Sequence, residues 1–180
     1  MDKRLAVELV PGLAFILGSY LGGLFMGAGL AAIATAAAIW LRWRWDRSFP
    51  WLAMAIFALT FALLLAGLAF DDTTFVKISP TIGSLAFAAI IGCGRFLRPS
   101  LLERTLGYAI KMTGRGWNVL HLAWMGLSVV RAGLNELVWR SASEGAWTVY
   151  NGLSDFVWLG LFFAMTWLIA HIHWQETVED

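Results

Sequence analysis

Apolar runs of membrane-spanning length, separated by short polar stretches, organise this chain. "FPWLAMAIFALTFALLLAGLAF" carries no charge from 49 to 70. A bilayer's hydrocarbon core is about 30 Å thick and takes about 20 helical residues at 1.5 Å each. Runs over 78–96, 117–139 and 149–172 are of comparable length. Unbroken apolarity contradicts the alternation of barrel strands, and lipid otherwise admits only helices. The front of the chain differs, because from Leu5 to Leu41 the only charge is Glu8. One helix of that length would reach about 55 Å, well beyond the core. Glycines at 18, 22, 23, 27 and 29 place a break near Gly22–Gly23, since glycine weakens helices and suits tight bends. The pattern predicts a short hydrophobic segment over 9–21 and then a full span over 24–41. The expected fold is all-α: a polytopic helical membrane bundle, one integral-membrane domain over 1–180 with about five full spans.

Composition sharpens this. The chain is 59% hydrophobic and 14% charged, against about 45–50% and about 25% for soluble domains. A net charge of +1 gives no broad basic field, so membrane lipids and not nucleic acids are the expected surroundings. Lysine and arginine in short loops set orientation. The loop 42–47 holds three arginines, and 95–115 holds Arg95, Arg98, Arg104, Lys111 and Arg115, so both are expected in the cytoplasm. The stretches 71–75 and 140–145 then face outward, and the C-terminus returns to the cytoplasm. Lys3 and Arg4 open the chain as in a signal peptide, but the spans that follow favour a signal anchor or first helix. Their charge favours a cytoplasmic start. Trp40, Trp43, Trp45 and Trp51 bracket one loop and Trp139 and Trp147 another, as an interfacial aromatic belt would. The basic stretch "GRFLRPSLLERTLG" (94–107) suits an interfacial helix against anionic lipid.

Candidate chemistry is confined to charge inside the apolar runs. Arg131 lies about 12 Å deep in the 117–139 span, and Asp155 about 9 Å deep in the next, antiparallel one. Opposite charges at matching depth would relieve each other's desolvation. Asn135 shares the Arg131 face one turn away, while Glu136 points about 100° further round and is free to snorkel outward. The cluster reads either as a clamp fixing helix register or as a proton, ion or headgroup site. Its depth, toward one interface and not the midplane, favours the clamp. Gly18, Gly22 and Gly23, Gly27 form two small-xxx-small pairs that permit close helix approach, whether in a dimer, within one subunit or at the break. His171 and His173 are two residues apart and do not share a helix face, so no metal site is expected there. His121 reads as a packed, hydrogen-bonded histidine, and the lone Cys93 excludes an internal disulfide. No nucleophile–base, phosphate-loop or cofactor motif occurs, so no catalytic residue, metal or cofactor is expected.

Two stretches, 75–107 and 117–140, resemble the bacterial intracellular septation protein A (YciB) family. An F-x-K-x-K-P-T entrance is matched by Phe75, Lys77, Pro80 and Thr81; a P-L-[IL]-x-R-x-L-G segment is approximated by Pro99, Leu102, Arg104, Leu106 and Gly107. Trp117, Leu120, Ala123 and Trp124 match a W-x-x-L-x-x-[AT]-W opening, and Asn135, Glu136, Val138 and Trp139 an L-N-E-x-V-W ending. Ser79 replaces a second lysine, and "WTVYNGLSDF" keeps Trp147 but loses the family's N-F-K core. The resemblance implies a non-enzymatic multi-pass protein of the bacterial inner membrane that supports envelope biogenesis, membrane integrity and septation. It implies contacts with division and peptidoglycan-synthesis membrane proteins and leaves a homo-oligomer open. The competing reading is a small transporter or lipid-handling protein built around Arg131, Asn135, Glu136 and Asp155.

Overall fold

The computed structural model describes residues 3–47 and 51–174, with side chains described for 10–45, 47, 51 and 53–174. Six helices follow one another among the described residues: α1 (Lys3–Asp46), α2 (Trp51–Phe70), α3 (Thr74–Gly94), α4 (Leu101–Leu106), α5 (Gly114–Ser141) and α6 (Glu144–Ile172). The fold is an all-α helical membrane bundle. By length and composition, α1, α2, α3 and α6 suffice to cross a bilayer. Between 11% and 28% of each candidate window is buried by the chain itself. The remainder needs an apolar solvent. Helix α5 is longer than a span requires, but Arg115, Arg131, Glu136 and Arg140 leave it less apolar.

The break in α1 falls where the glycines place it. Gly22 (φ −152°, ψ 23°) and Gly23 (φ 82°, ψ 178°) leave the helical region, and Gly23 occupies backbone space that only glycine enters readily. The limb before the break doubles back along the limb after it. A Cβ on Gly18 would lie 2.8 Å from the Gly27 Cα, and one on Gly27 would lie 2.7 Å from the Phe15 carbonyl oxygen. Gly18 and Gly27, one from each pair, therefore serve close packing of this hairpin within one chain, while Gly22 and Gly23 form its break.

Helix ends carry local instructions. Asp71 adopts positive φ (52°) and closes α2, with the Asp72 amide donating back to the Gly67 carbonyl at 3.0 Å, a left-handed helix stop. The Asp72 carboxylate accepts the Thr74 amide at 2.8 Å and so starts α3. That amide bond, the Thr74 hydroxyl and the nearby Lys77 charge hold Asp72 below the ordinary aspartate pKa. Ser143 caps α6, accepting the Ala146 amide on its hydroxyl at 3.3 Å. The turn expected over 140–145 is thus shorter, since α5 runs to Ser141 and α6 begins at Glu144. Helix α3 starts at Thr74, four residues before the span expected at 78. The first residues of the expected 49–70 span, and the C-terminal residues 175–180, lie outside the described ones.

Contacts group the chain into two units, one over 1–83 and 133–156 and the other over 84–132 and 157–180. In the first, Phe15, Leu24, Leu64, Val76 and Trp147 form the buried core, with the Phe15 ring edge-on to Trp147 at 5.7 Å. In the second, Ile91, Leu102, Met112, Trp117, Leu120, Ile169 and Ala170 are buried together. Beside them Phe87, Trp124 and Phe162 make a three-ring cluster with centroids 5.1–6.1 Å apart.

Candidate functional site

The first unit holds a buried polar chain at the start of α3 and the end of α5. Asn135 is 1% exposed, and burying an amide without partners is costly. Its Nδ2 donates to the Lys77 carbonyl at 2.9 Å and to the Thr81 hydroxyl at 2.9 Å. Its Oδ1 accepts the Trp147 indole N–H at 3.1 Å. Both amide protons and one acceptor position are thereby engaged. Thr81 passes the chain on, donating to Glu136 Oε1 at 2.8 Å, and the other carboxylate oxygen accepts Arg140 Nε at 2.8 Å. Pro80 has no N–H and removes one helical bond from this turn of α3. The Asn135 amide adds one to the same turn at the Lys77 carbonyl. Lys77 itself reaches Glu144 at 2.9 Å, with the two side chains 20% and 56% exposed. The Arg140 guanidinium lies 4.4 Å from the Trp139 ring centroid.

Family-motif residues are explained by these contacts. Lys77, Pro80, Thr81, Asn135, Glu136 and Trp147 meet in one cluster, and Phe75 stacks on Phe70 at 5.9 Å. In the second unit, Arg104 braces the loop before α4 by donating to the carbonyls of Pro99 (3.0 Å) and Arg98 (3.2 Å). Gly107 closes that helix with its amide 2.8 Å from the Glu103 carbonyl, an approach with no room for a Cβ. Trp117 is core, and Trp124 donates to the Thr166 hydroxyl at 3.0 Å. His121 is fully buried. Its Nδ1 lies 2.8 Å from the Trp117 carbonyl, and its Nε2 accepts the Leu102 amide at 3.4 Å. The ring thereby ties α5 to α4.

Several expectations change. Glu136 does not snorkel outward, because Thr81 and Arg140 hold both its oxygens and its side chain is 27% exposed. Asn135 turns its amide to α3 and α6. Trp147 is not a belt residue: at 1% exposure it is core, with its N–H consumed by Asn135. Trp40, Trp43, Trp45 and Trp51 are exposed as a belt requires. Of the other two cluster residues, Arg131 is half-buried on α5 and Asp155 is exposed on α6, and each makes an interaction. Sequence reasoning missed Arg140 and Glu144 as partners. The spacing of Glu136 and Arg140, one helical turn apart, was the available signal. It missed Gly12 as well, whose Cβ position runs into the Gly152 backbone where α1 meets α6. Among the described residues no three His, Cys, Asp or Glu side chains are grouped to hold a metal.

An apolar helical bundle with a buried polar cluster hydrogen-bonded around Asn135 defines a polytopic membrane protein. The model of the family described as intracellular septation protein A matches residues 3–176, and the chain belongs to that family. It is 33% identical over 136 residues, covering 76% of this chain and 67% of the relative, to a protein of Agrobacterium fabrum named inner membrane-spanning protein YciB. A protein of the same name from Afipia carboxidovorans is 32% identical over 175 residues, with 92% and 86% covered. The match to its namesake in Sinorhizobium medicae, 32% over 130 residues, spans 62% of that protein. No solved structure matches the chain.

Proposed function

We propose that this chain is an inner-membrane protein that supports septation and envelope biogenesis without catalysis, by lateral contact with division and peptidoglycan-synthesis membrane proteins. Family membership and the relatives' names support the setting. The observation that carries the mode of action is the closure of the Asn135 cluster. Both Asn135 amide protons, the Thr81 hydroxyl proton and the Trp147 indole N–H have acceptors inside the chain, as in a clamp that fixes the register of α3, α5 and α6. A transport site needs groups left available to a passing ligand, and neither of two cavities in the protein is lined by Arg131, Asn135, Glu136 or Asp155. Recognition then falls to the outward apolar side chains, such as Leu17 (59% exposed) and Phe163 (70%), which lipid and membrane partners both suit. In this reading α5 also crosses the bilayer, its charges engaged at the ends, and the first limb of α1 crosses too. At residues 3–21 that limb reaches about 28 Å. The N- and C-termini then both lie in the cytoplasm.

The test is photo-crosslinking in cells from Leu17 and Phe163, together with deletion of the gene. Division or envelope-synthesis proteins are expected among the adducts, with altered cell shape or osmotic tolerance on deletion. Adducts with lipid alone and normal morphology would overturn the reading.

A further inference from the structure

The second unit contains an open cavity of about 710 Å³ between the end of α3 and the start of α5, lined among others by Arg95, Arg98, Ser100, Glu103, Arg115 and Asn118. Its walls are rich in donors. Three guanidiniums face one carboxylate, and that carboxylate already accepts the Ser100 amide at 3.2 Å. Among the described residues no carboxylate lies within ion-pair distance of Arg95, Arg98 or Arg115. The Ser100 hydroxyl oxygen is buried, and its proton has no acceptor among the described residues. The loop's own carbonyls at Arg98 and Pro99 are occupied by Arg104, so they do not compete for the arginines. The loop is held in place from behind, because His121 accepts the Leu102 amide and is itself bonded to Trp117.

Position selects the ligand. Arg95 directly follows the apolar helix α3, and Phe96 and Leu97 beside it are 79% and 47% exposed. The Arg95 guanidinium sits 5.6 Å from the Phe96 ring centroid. Exposed apolar side chains adjoining clustered arginines at a span end match the acyl–headgroup boundary of a bilayer, with the rings in the apolar layer and the guanidiniums at phosphate depth. The volume lies in the range of small-ligand pockets, and arginine forks suit phosphate oxygens.

We propose that this cavity binds the phosphate of an anionic phospholipid headgroup, held by Arg95, Arg98 and Arg115 with Ser100 and Asn118 as neutral donors. The site is independent of the septation reading and of the Asn135 cluster. Near an anionic surface each arginine is worth about fivefold in affinity, so removing three weakens retention on the order of a hundredfold.

The experiment uses the full chain in nanodiscs of phosphatidylcholine alone or with phosphatidylglycerol. It reads the thermal midpoint, and the phosphatidylglycerol retained after extraction by native mass spectrometry. Phosphatidylglycerol should raise the midpoint and be retained by the parent protein and by Arg44→Gln/Arg47→Gln, which lowers charge at the end of α1 instead. Arg95→Gln/Arg98→Gln/Arg115→Gln should lose both effects. If that triple variant does not fold, Arg98→Gln and Arg115→Gln singly should each give a partial loss. Equal retention by the parent and the variants at Arg95, Arg98 and Arg115, or equal stabilisation by phosphatidylcholine, overturns the site. Soluble glycerol phosphate reproducing the full arginine-dependent shift in phosphatidylcholine discs overturns lipid as the source and leaves a soluble-phosphate site.

Discussion

Asn135 shows how a polar side chain is tolerated inside an apolar bundle. It donates twice and accepts once, and its partners lie on two other helices, α3 and α6. Side-chain hydrogen bonds between membrane helices average about 0.6 kcal/mol each. Asn135→Ala, which loses three, should therefore destabilise the protein by about 2 kcal/mol. Trp147→Phe loses one N–H and keeps a ring against Phe15, so it should cost about a third as much. Denaturation in detergent measures both, and a smaller loss for Asn135→Ala than for Trp147→Phe would contradict the geometry. Asp72 offers a second check, outside the spans. Its depressed pKa means that its contribution is present above the ordinary aspartate range and is lost as pH falls through the lowered value. Carboxyl-detected titration should find its midpoint below an ordinary aspartate, and Thr74→Pro, which removes the amide proton, should raise it.

At the scale of the element, the α1 hairpin depends on two glycine properties that are separable. Gly23 supplies a backbone conformation, while Gly18 and Gly27 supply absence of bulk. Gly23→Ala should cost about 1–3 kcal/mol even though a Cβ there meets nothing. Gly27→Leu should destabilise by overpacking, also by about 1–3 kcal/mol. Gly29→Ala, at a helical position with open space around it, should be neutral or slightly stabilising. Thermal unfolding of the three variants in one detergent tests the division. The break itself was legible in the sequence, because apolar length and paired glycines are local signals. The contact of Gly12 with Gly152 was not, because nothing along α1 announces which helix will pass over it.

For the molecule as a whole, the balance of buried and exposed apolar residues is inverted relative to a water-soluble fold. Large side chains such as Ile33 (69% exposed), Leu137 (62%) and Trp167 (68%) face outward, and only lipid or another membrane protein covers such surface without cost. Arginine-rich loops set the direction of insertion. Cysteine substitutions in a Cys93→Ser background test it in intact cells. Ser143→Cys should react with a membrane-impermeant maleimide applied from outside, and Lys111→Cys only after the inner membrane is opened. Arg4→Cys should behave like Lys111→Cys, because the first limb of α1 doubles back. Labelling of Arg4→Cys from outside would show that this limb does not cross.

The chain's solvent, its helical segments and the position of the α1 break were determined by sequence alone, for a physical reason. Transfer into lipid depends on summed apolarity over a span, every backbone group must find its partner within the same helix, and glycine conformational freedom acts at single residues. Which polar residues meet was decided only by tertiary structure. Asn135 lies 58 residues from Lys77 and 54 from Thr81, and helical periodicity states which face a residue occupies, not how the neighbouring helix is rotated. That rotation turned Glu136 from an outward residue into a partner of Thr81. It also took Trp147 out of the interfacial belt and placed it beside Asn135, where an amide without a partner would have been costliest.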